Sequence, residues 1–284
     1  GLIVGSGAAW FGYTKIYMTP ERRFWSAVNN SMSVPSVTRT LTQGGSGNQV
    51  IQDHRFYFAP QRVVENKVTF TNKNATTDTS VVTEGIVYPQ EQFLRYSSFR
   101  TNQKDNGSAV SLDDILGLWA TDAGSASDPQ QSALSYTREL VSLVVLGNYS
   151  SDFRREVLQE MKNGQVYGTE LGDTTEVELD GKKVIRYSVT VDLKKYTAIL
   201  QKAFIEAGYG EFPPLNPDNY REGASVKAGI TVDKKRNTIV RVEFGGRTEN
   251  YSNYGLIKNV EKPEASFTID ELQTKVEQKI GSSL

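Results

Sequence analysis

The sequence predicts an α+β fold built on one large antiparallel sheet, and three observations lead to this class. Apolar and polar residues alternate along several segments, most clearly along 63–71, so one face of each predicted strand is buried and the other is solvated. The links between neighbouring segments within 36–99 are short, which favours antiparallel neighbours. Helices separate the groups of strands rather than alternating with single strands, which disfavours a parallel α/β fold.

The first predicted helix begins after Thr19, a typical N-cap residue, with Pro20 at the first helical position. We expect this helix to end near Asn30. Turns rich in glycine, proline and asparagine then separate five predicted strands. These strands cover 36–42, 49–58, 63–71, 80–88 and 91–99.

Three helices are expected in the middle of the chain, over 112–119, 130–146 and 151–162. The second of them carries more apolar residues than one face of a surface helix needs, so we expect the sheet to enclose it. Its apolar residues serve either as plain core or as one wall of a ligand cavity, and the sequence pattern is the same in both cases.

The remaining chain returns to strands, with one helix among them and one at the end. Asp180-Gly181 is a strong hairpin signal, and 209–220 is an irregular loop rich in proline and aromatic residues. The predicted strands are 165–171, 174–179, 182–192, 225–233, 238–245 and 249–254, and the predicted helices are 193–207 and 268–280.

The composition excludes several classes of function. Basic and acidic residues number 32 and 33, whereas a nucleic-acid-binding protein usually has a basic excess, so no nucleic-acid partner is expected. Cysteine is absent, which excludes thiol catalysis, sulfur-bound zinc, disulfides and a lipid-bearing cysteine.

No catalytic residue, metal site or cofactor is predicted. His54 is the single histidine, no G-x-S-x-G motif accompanies it, and we expect a surface or edge-strand position for it. The acidic pairs Asp113–Asp114 and Asp152–Glu156 lie where helices are expected to begin, a position that favours carboxylates. A hydrolase is therefore disfavoured.

Residues 1–14 are uncharged and mostly small or apolar. Aromatic residues and one lysine lie between positions 10 and 17, where this segment ends. Such a flank is typical of a membrane-spanning helix, although about 20 apolar residues are needed for a complete span. We interpret 1–18 as the C-terminal part of a transmembrane or signal-anchor helix, with 19–284 as one extracytoplasmic domain on a single-pass anchor. The alternatives are a signal-peptide remnant and a buried first helix. The predicted anchor residues are Trp10, Phe11, Tyr13, Lys15 and Tyr17.

Residues 24–43 combine a helix, a break of small residues and a first strand, and residues 248–265 combine a last strand with Tyr254-Gly255 followed by Pro263. These two stretches resemble the opening and closing elements of the LolA-like superfamily, which includes the lipoprotein carriers and the LppX/LprG group of bacterial envelope proteins. The predicted elements between them match in order, so the resemblance spans about residues 20–279.

This resemblance implies a half-barrel, in which one strongly curved antiparallel sheet carries helices on its concave side. It also implies a non-enzymatic protein. Lipid-anchored members carry a cysteine after the signal sequence, which this chain lacks, so a membrane helix would replace the lipid anchor.

We therefore expect a membrane-tethered domain that binds or transfers a lipid or other amphiphile in an apolar cup. The alternative is a structural or sensory envelope protein with a filled cavity, which acts through contacts with other envelope proteins. The residues expected to line the cup and its mouth are Leu116, Trp119, Leu134, Leu140, Val141, Val144, Phe212, Pro213 and Pro214.

Overall fold

The computed structural model describes residues 19–45, 47–105, 108–123, 129–168, 174–256 and 258–280. Within these ranges the chain forms two compact units. The first unit contains the described residues of 19–34, Ser142–Ala207 and Pro213–Gly245. The second contains those of Pro35–Val141, Gly208–Phe212 and 246–280.

Five α-helices lie in the described ranges: α1 (Pro20–Ser31), α2 (Pro129–Leu140), α3 (Ser151–Asn163), α4 (Leu193–Glu206) and α5 (Ile269–Ile280). The strands of the second unit are β1 (Ser36–Gly44), β2 (Asn48–Tyr57), β3 (Val63–Lys73), β4 (Asp78–Tyr88), β5 (Glu91–Thr101), β6 (Lys104–Asp105), β7 (Ser108–Ala109), β8 (Trp119–Thr121), β13 (Arg247–Ser252) and β14 (Ala265–Thr268). Those of the first unit are β9 (Thr174–Leu179), β10 (Lys182–Asp192), β11 (Ser225–Asp233) and β12 (Thr238–Phe244).

The first unit places α1 against an antiparallel set of strands in the order β12-β11-β10-β9, which ends at β9. The Thr19 side chain accepts a hydrogen bond from the Arg22 amide, as expected of an N-cap. Phe24 is fully buried, and its ring lies 5.3 Å from those of both Tyr167 and Tyr187. These aromatic contacts form the centre of the core of this unit.

The helix predicted over 130–146 is wrong in its second half, because α2 ends at Leu140. In the first unit the chain after Ser142 runs beside the end of α1 and bonds to it. The Gly147 amide donates to the Ser31 carbonyl at 3.1 Å, and the Val34 amide donates to the Gly147 carbonyl at 2.9 Å. Residues 141–146 are rich in β-branched valine, which favours such an extended course over a helix.

The second unit contains a sheet in the order β14-β8-β5-β4-β3-β2-β1-β13, antiparallel except for the parallel pair β14–β8. Strands β1 to β5 are neighbours in chain order, so the antiparallel meander predicted for 36–99 is confirmed. The α+β class with a large, mostly antiparallel sheet is also confirmed. The curvature of a half-barrel, with its helices on the concave side, stays a prediction.

Two further elements differ from expectation. The helix predicted over 112–119 is wrong: residues 113–117 form turns and Trp119 begins strand β8. Gly117 has a φ of +79°, which ends any helical course there, and its amide donates to the Tyr96 carbonyl. The strand predicted over 165–171 reduces to one bridge between Tyr167 and Val191, and 169–171 lies outside the described residues.

None of the helices in the described ranges is long and apolar enough to cross a membrane. The predicted anchor, residues 1–18, lies outside the described residues. Its residues Trp10, Phe11, Tyr13, Lys15 and Tyr17 therefore remain a sequence-based prediction.

We predict that Gly147→Ala destabilises the protein by about 1–3 kcal/mol, because overpacking a well-filled core has this cost. A Cβ at Gly147 would lie 2.2 Å from Cε2 of the buried Tyr149 ring. Gly45→Ala is the matched control, because a Cβ there meets no atom within 4 Å, and we expect a change within about 0.5 kcal/mol. Urea unfolding of both variants checks this, and equal midpoints would contradict the packing described around Tyr149.

Candidate functional site

A cavity of about 290 Å³ lies in the second unit between α2, α5 and strands β3 to β5. Val87, Leu94 and Ile269 contribute apolar surface to it. Arg138 and Glu139, at the end of α2, contribute charged groups. The other side chains of the lining are the apolar Phe93 and the uncharged polar Asn66, Gln92, Ser135 and Gln273. The lining is therefore mixed, and its volume lies at the lower limit of small-molecule sites, which begins at about 300 Å³.

The strand alternation explains which side chains reach the cavity. Gly85 pairs with Leu94 on β5 and with Asn66 on β3, so these three positions share the face on which α2 packs. A Cβ at Gly85 would lie only 2.3 Å from Oδ1 of Asn66. Glycine at this position therefore leaves room for the Asn66 side chain, which lines the cavity beside α2.

His54 is buried, so the expectation of a surface or edge position is wrong. Only 1% of this residue is exposed, in the middle of β2, and its ring stacks on that of Phe56 with centroids 5.6 Å apart. Nε2 lies 2.5 Å from Oε2 of Glu139, and the carboxylate accepts a hydrogen bond from it. Nδ1 has no hydrogen-bond partner among the described residues.

Burial is the main reason that the pKa of His54 lies below 6.5, and the positive charges of Arg39 and Arg247 act in the same direction. The hydrogen bond and the charge of Glu139 oppose them only in part. Burial disfavours the Glu139 carboxylate as well, but the hydrogen bond from His54 and the charges of Arg39 and Arg138 keep its pKa below 4.5. At neutral pH the pair is a neutral imidazole that donates to a carboxylate.

Arg39 attaches the C-terminal end of α2 to the sheet. Its guanidinium, on a residue only 2% exposed, donates to the carbonyl oxygens of Glu139 at 2.7 Å and Val141 at 3.2 Å. These are carbonyls that a helix leaves unpaired at its C-terminus, where a positive charge is also favoured. The guanidinium carbon lies 5.0 Å from the centre of the Phe56 ring.

A second buried polar group belongs to the neighbouring strand β13. Glu249 is fully buried. It accepts a hydrogen bond from the Tyr251 hydroxyl at 2.5 Å and forms an ion pair with Arg247 at 2.6 Å. Tyr251 is the direct cross-strand partner of Arg39. The sheet therefore buries several charged groups close to the α2 end of the cavity.

The opposite face of the same sheet carries a polar groove of about 630 Å³. Asp53, Lys67, Glu84 and Arg95 are successive cross-strand partners in it, so their charges alternate from β2 to β5. Arg95 pairs with Glu84 at 2.5 Å and covers the ring of Trp119 at 4.5 Å. The groove is close to neutral in net charge, which does not favour an anionic polymer.

None of the predicted cup residues whose side chains are described lines the 290 Å³ cavity. In the second unit, Leu116 packs on the cluster around Leu112 and Leu272, and Trp119 lines the polar groove. Leu140 is buried at the end of α2, and Phe212 is buried as well.

The other predicted cup residues are placed as follows. The Val141 carbonyl accepts a bond from Arg39. In the first unit Val144 is buried and Pro213 and Pro214 are exposed. The side chain of Leu134 lies outside the described part of the chain. Their role in ligand binding stays a prediction.

No sequence pattern singled out the site residues Asn66, Arg138, Glu139 and Arg39. The burial of His54 did have a signal, because His54 lies two positions before Phe56 and therefore shares a strand face with an aromatic residue. Among the described residues no group of three or more histidine, aspartate or glutamate side chains could hold a metal ion.

We predict that Arg39→Met lowers the free energy of unfolding by about 3 kcal/mol, because it leaves two helix-end carbonyls without a partner in a buried site. Arg55→Met on the adjacent strand is the matched control. The Arg55 side chain is 63% exposed and lies 3.9 Å from Glu65, so we expect a loss of at most about 1 kcal/mol. Urea unfolding measures both, and equal losses would show that Arg39 is not the attachment described.

The chain has structural likenesses among solved proteins. No protein-family model matches the chain, and no curated protein matches it. The chain is similar to the crystal structure of LprF from Mycobacterium bovis, with 16% sequence identity over 87% of this chain and 97% of that chain, at a TM-score of 0.41. We draw no conclusion on function from a likeness at this level.

Proposed function

We propose that the chain is a non-enzymatic binding protein for an amphiphile, which it holds in the cavity between α2, α5 and strands β3 to β5. The observation that carries the proposal is the mixed lining of this cavity, which joins the apolar side chains of Val87, Leu94 and Ile269 to uncharged polar groups and to the charged groups at the end of α2. A ligand with an apolar body and a polar head matches this lining, with its body against the apolar side chains and its head at Arg138.

The driving force would be the removal of apolar surface from water, about 0.8 kcal/mol for each buried methylene. A cavity of about 290 Å³ suits a short apolar group or one part of a longer lipid. The aromatic and basic residues of 10–17 support a position at a membrane, where such ligands are concentrated. Envelope localisation and a single-pass anchor are part of this proposal.

One observation favours the second candidate, a structural or sensory envelope protein with a filled interior. Tyr136 and Leu140 of α2 are 0% and 2% exposed, so part of the inner face of this helix is occupied by protein core. In that case the protein would act through contacts with other envelope proteins, and the cavity would bind nothing.

We predict that Leu94→Trp weakens binding of 1-anilinonaphthalene-8-sulfonate, a probe with apolar rings and one sulfonate, by about tenfold or more. The tryptophan side chain fills the space beside Val87 and Ile269, so the rings of the probe can no longer bind there. Fluorescence titration at pH 7 measures the affinity. Extraction of the purified protein with organic solvent, followed by mass spectrometry, identifies an amphiphile that it already holds.

Leu256→Trp is the matched control, because Leu256 is 60% exposed and does not line the cavity. We expect its affinity for the probe to match that of the unmodified protein within about twofold. If both tryptophan variants bind the probe equally and extraction releases no amphiphile, the binding function is wrong and the filled-interior candidate takes its place.

A further inference from the structure

The C-terminal end of α2 is held to the sheet by two attachments of different chemistry. Arg39 binds its last carbonyl groups and stays charged at any physiological pH. His54 donates a hydrogen bond from Nε2 to the Glu139 side chain, which requires a proton on Nε2. The second attachment therefore involves the residue type that titrates nearest to neutrality.

The surroundings of His54 offer no hydrogen-bond acceptor, among the described residues, for a second proton on the ring. Nδ1 is buried without a hydrogen-bond partner among the described residues, so protonation there would create a buried donor with nothing to bind. The charged groups that face the ring are Glu139 on α2, Arg39 on β1 and Arg247 on β13. Two of these three are cations, which repel an imidazolium.

The position of this pair links it to the cavity. Glu139 binds His54 and also lines the cavity, next to Arg138. Ser135, one turn earlier on α2, lines the cavity as well. Movement of the end of α2 away from β2 would therefore displace part of the cavity wall and the charged groups at its end.

We propose that the His54–Glu139 pair is an acid-sensitive latch. At neutral pH it holds the end of α2 over the cavity together with Arg39, and on acidification it weakens until the Arg39 bonds alone no longer keep the helix end closed, so that the bound amphiphile is discharged. The ligand part of this inference rests on the function proposed above, whereas the movement of α2 does not.

The sign of the effect follows from proton linkage. With α2 open, His54 is solvated and takes up a proton near its ordinary pKa of 6.5. With α2 closed, burial keeps the imidazole neutral to lower pH, so the open form binds more protons. The closed form is fully favoured above pH 6.5 and loses its advantage as the pH falls through 6.5, by up to about tenfold per pH unit for one proton.

Hydrogen exchange followed by mass spectrometry tests the latch without any ligand. After correction for intrinsic exchange rates, we expect protection of the α2 amides 135–140 to fall about tenfold between pH 7 and pH 5. Helix α3 belongs to the other unit and serves as the internal control, with unchanged protection. His54→Gln keeps a donor toward Glu139 and does not titrate, so its α2 protection should be the same at both pH values.

Because the chain has one histidine, nuclear magnetic resonance of the unmodified protein reports on this ring directly, even if His54→Gln does not fold. We expect a neutral imidazole with a proton on Nε2 and a midpoint below pH 6.5. A midpoint at or above 6.5, or an equal loss of protection in His54→Gln and the unmodified protein, would overturn the latch.

The naphthalene probe separates the two proposals. Its sulfonate stays charged over this pH range, so a change in its affinity reports on the protein. Faster release at pH 5 than at pH 7, abolished in His54→Gln, supports both. If α2 loses protection at pH 5 but the probe binds Leu94→Trp and the unmodified protein with equal affinity, the helix movement is supported and ligand discharge is overturned.

Discussion

A buried guanidinium is the constraint on which much of the second unit depends. Arg39 is almost inaccessible to water, so its donors need acceptors inside the protein, and its two terminal nitrogens have them although Nε has none among the described residues. The end of α2 supplies two carbonyl oxygens, and the Phe56 ring covers the guanidinium. Moving α2 along the sheet would break these bonds in a place that water does not reach. At neutral pH the helix is therefore held in register as well as in position, and the cavity beside it takes its shape from that register.

Buried charges of this kind seldom add stability over a well-packed apolar core, because their desolvation offsets their attraction. Their position next to a cavity is more informative about function than their number. His54, Glu139 and Glu249 lie within one region of the second unit, on strands and a helix that face each other or adjoin. Such a cluster limits the chain to arrangements in which the buried polar groups keep their partners.

Local pattern predicted most elements because their signals lie within a few residues. The alternation along β3, the Asp180-Gly181 turn and the Thr19-Pro20 helix start needed no distant partner. The errors came where a distant partner decided the outcome. Residues 141–146 leave helical geometry to bond with the end of α1, and Gly117 turns the chain toward Tyr96. The site depended on distant partners throughout, since Arg39 and Glu139 are separated by 100 positions and nothing local relates them.

Strand β9 stands at the end of its strand order, and it has one unpaired edge as the sheet is described. It is six residues long and carries Glu176 and Glu178, and Lys234 pairs with Glu176 at 2.6 Å. A strand from another molecule that docked on this edge would crowd these carboxylates, and short charged edges are known to discourage such pairing. Resistance to self-association through this edge is thus a consequence of the length and charge of the strand.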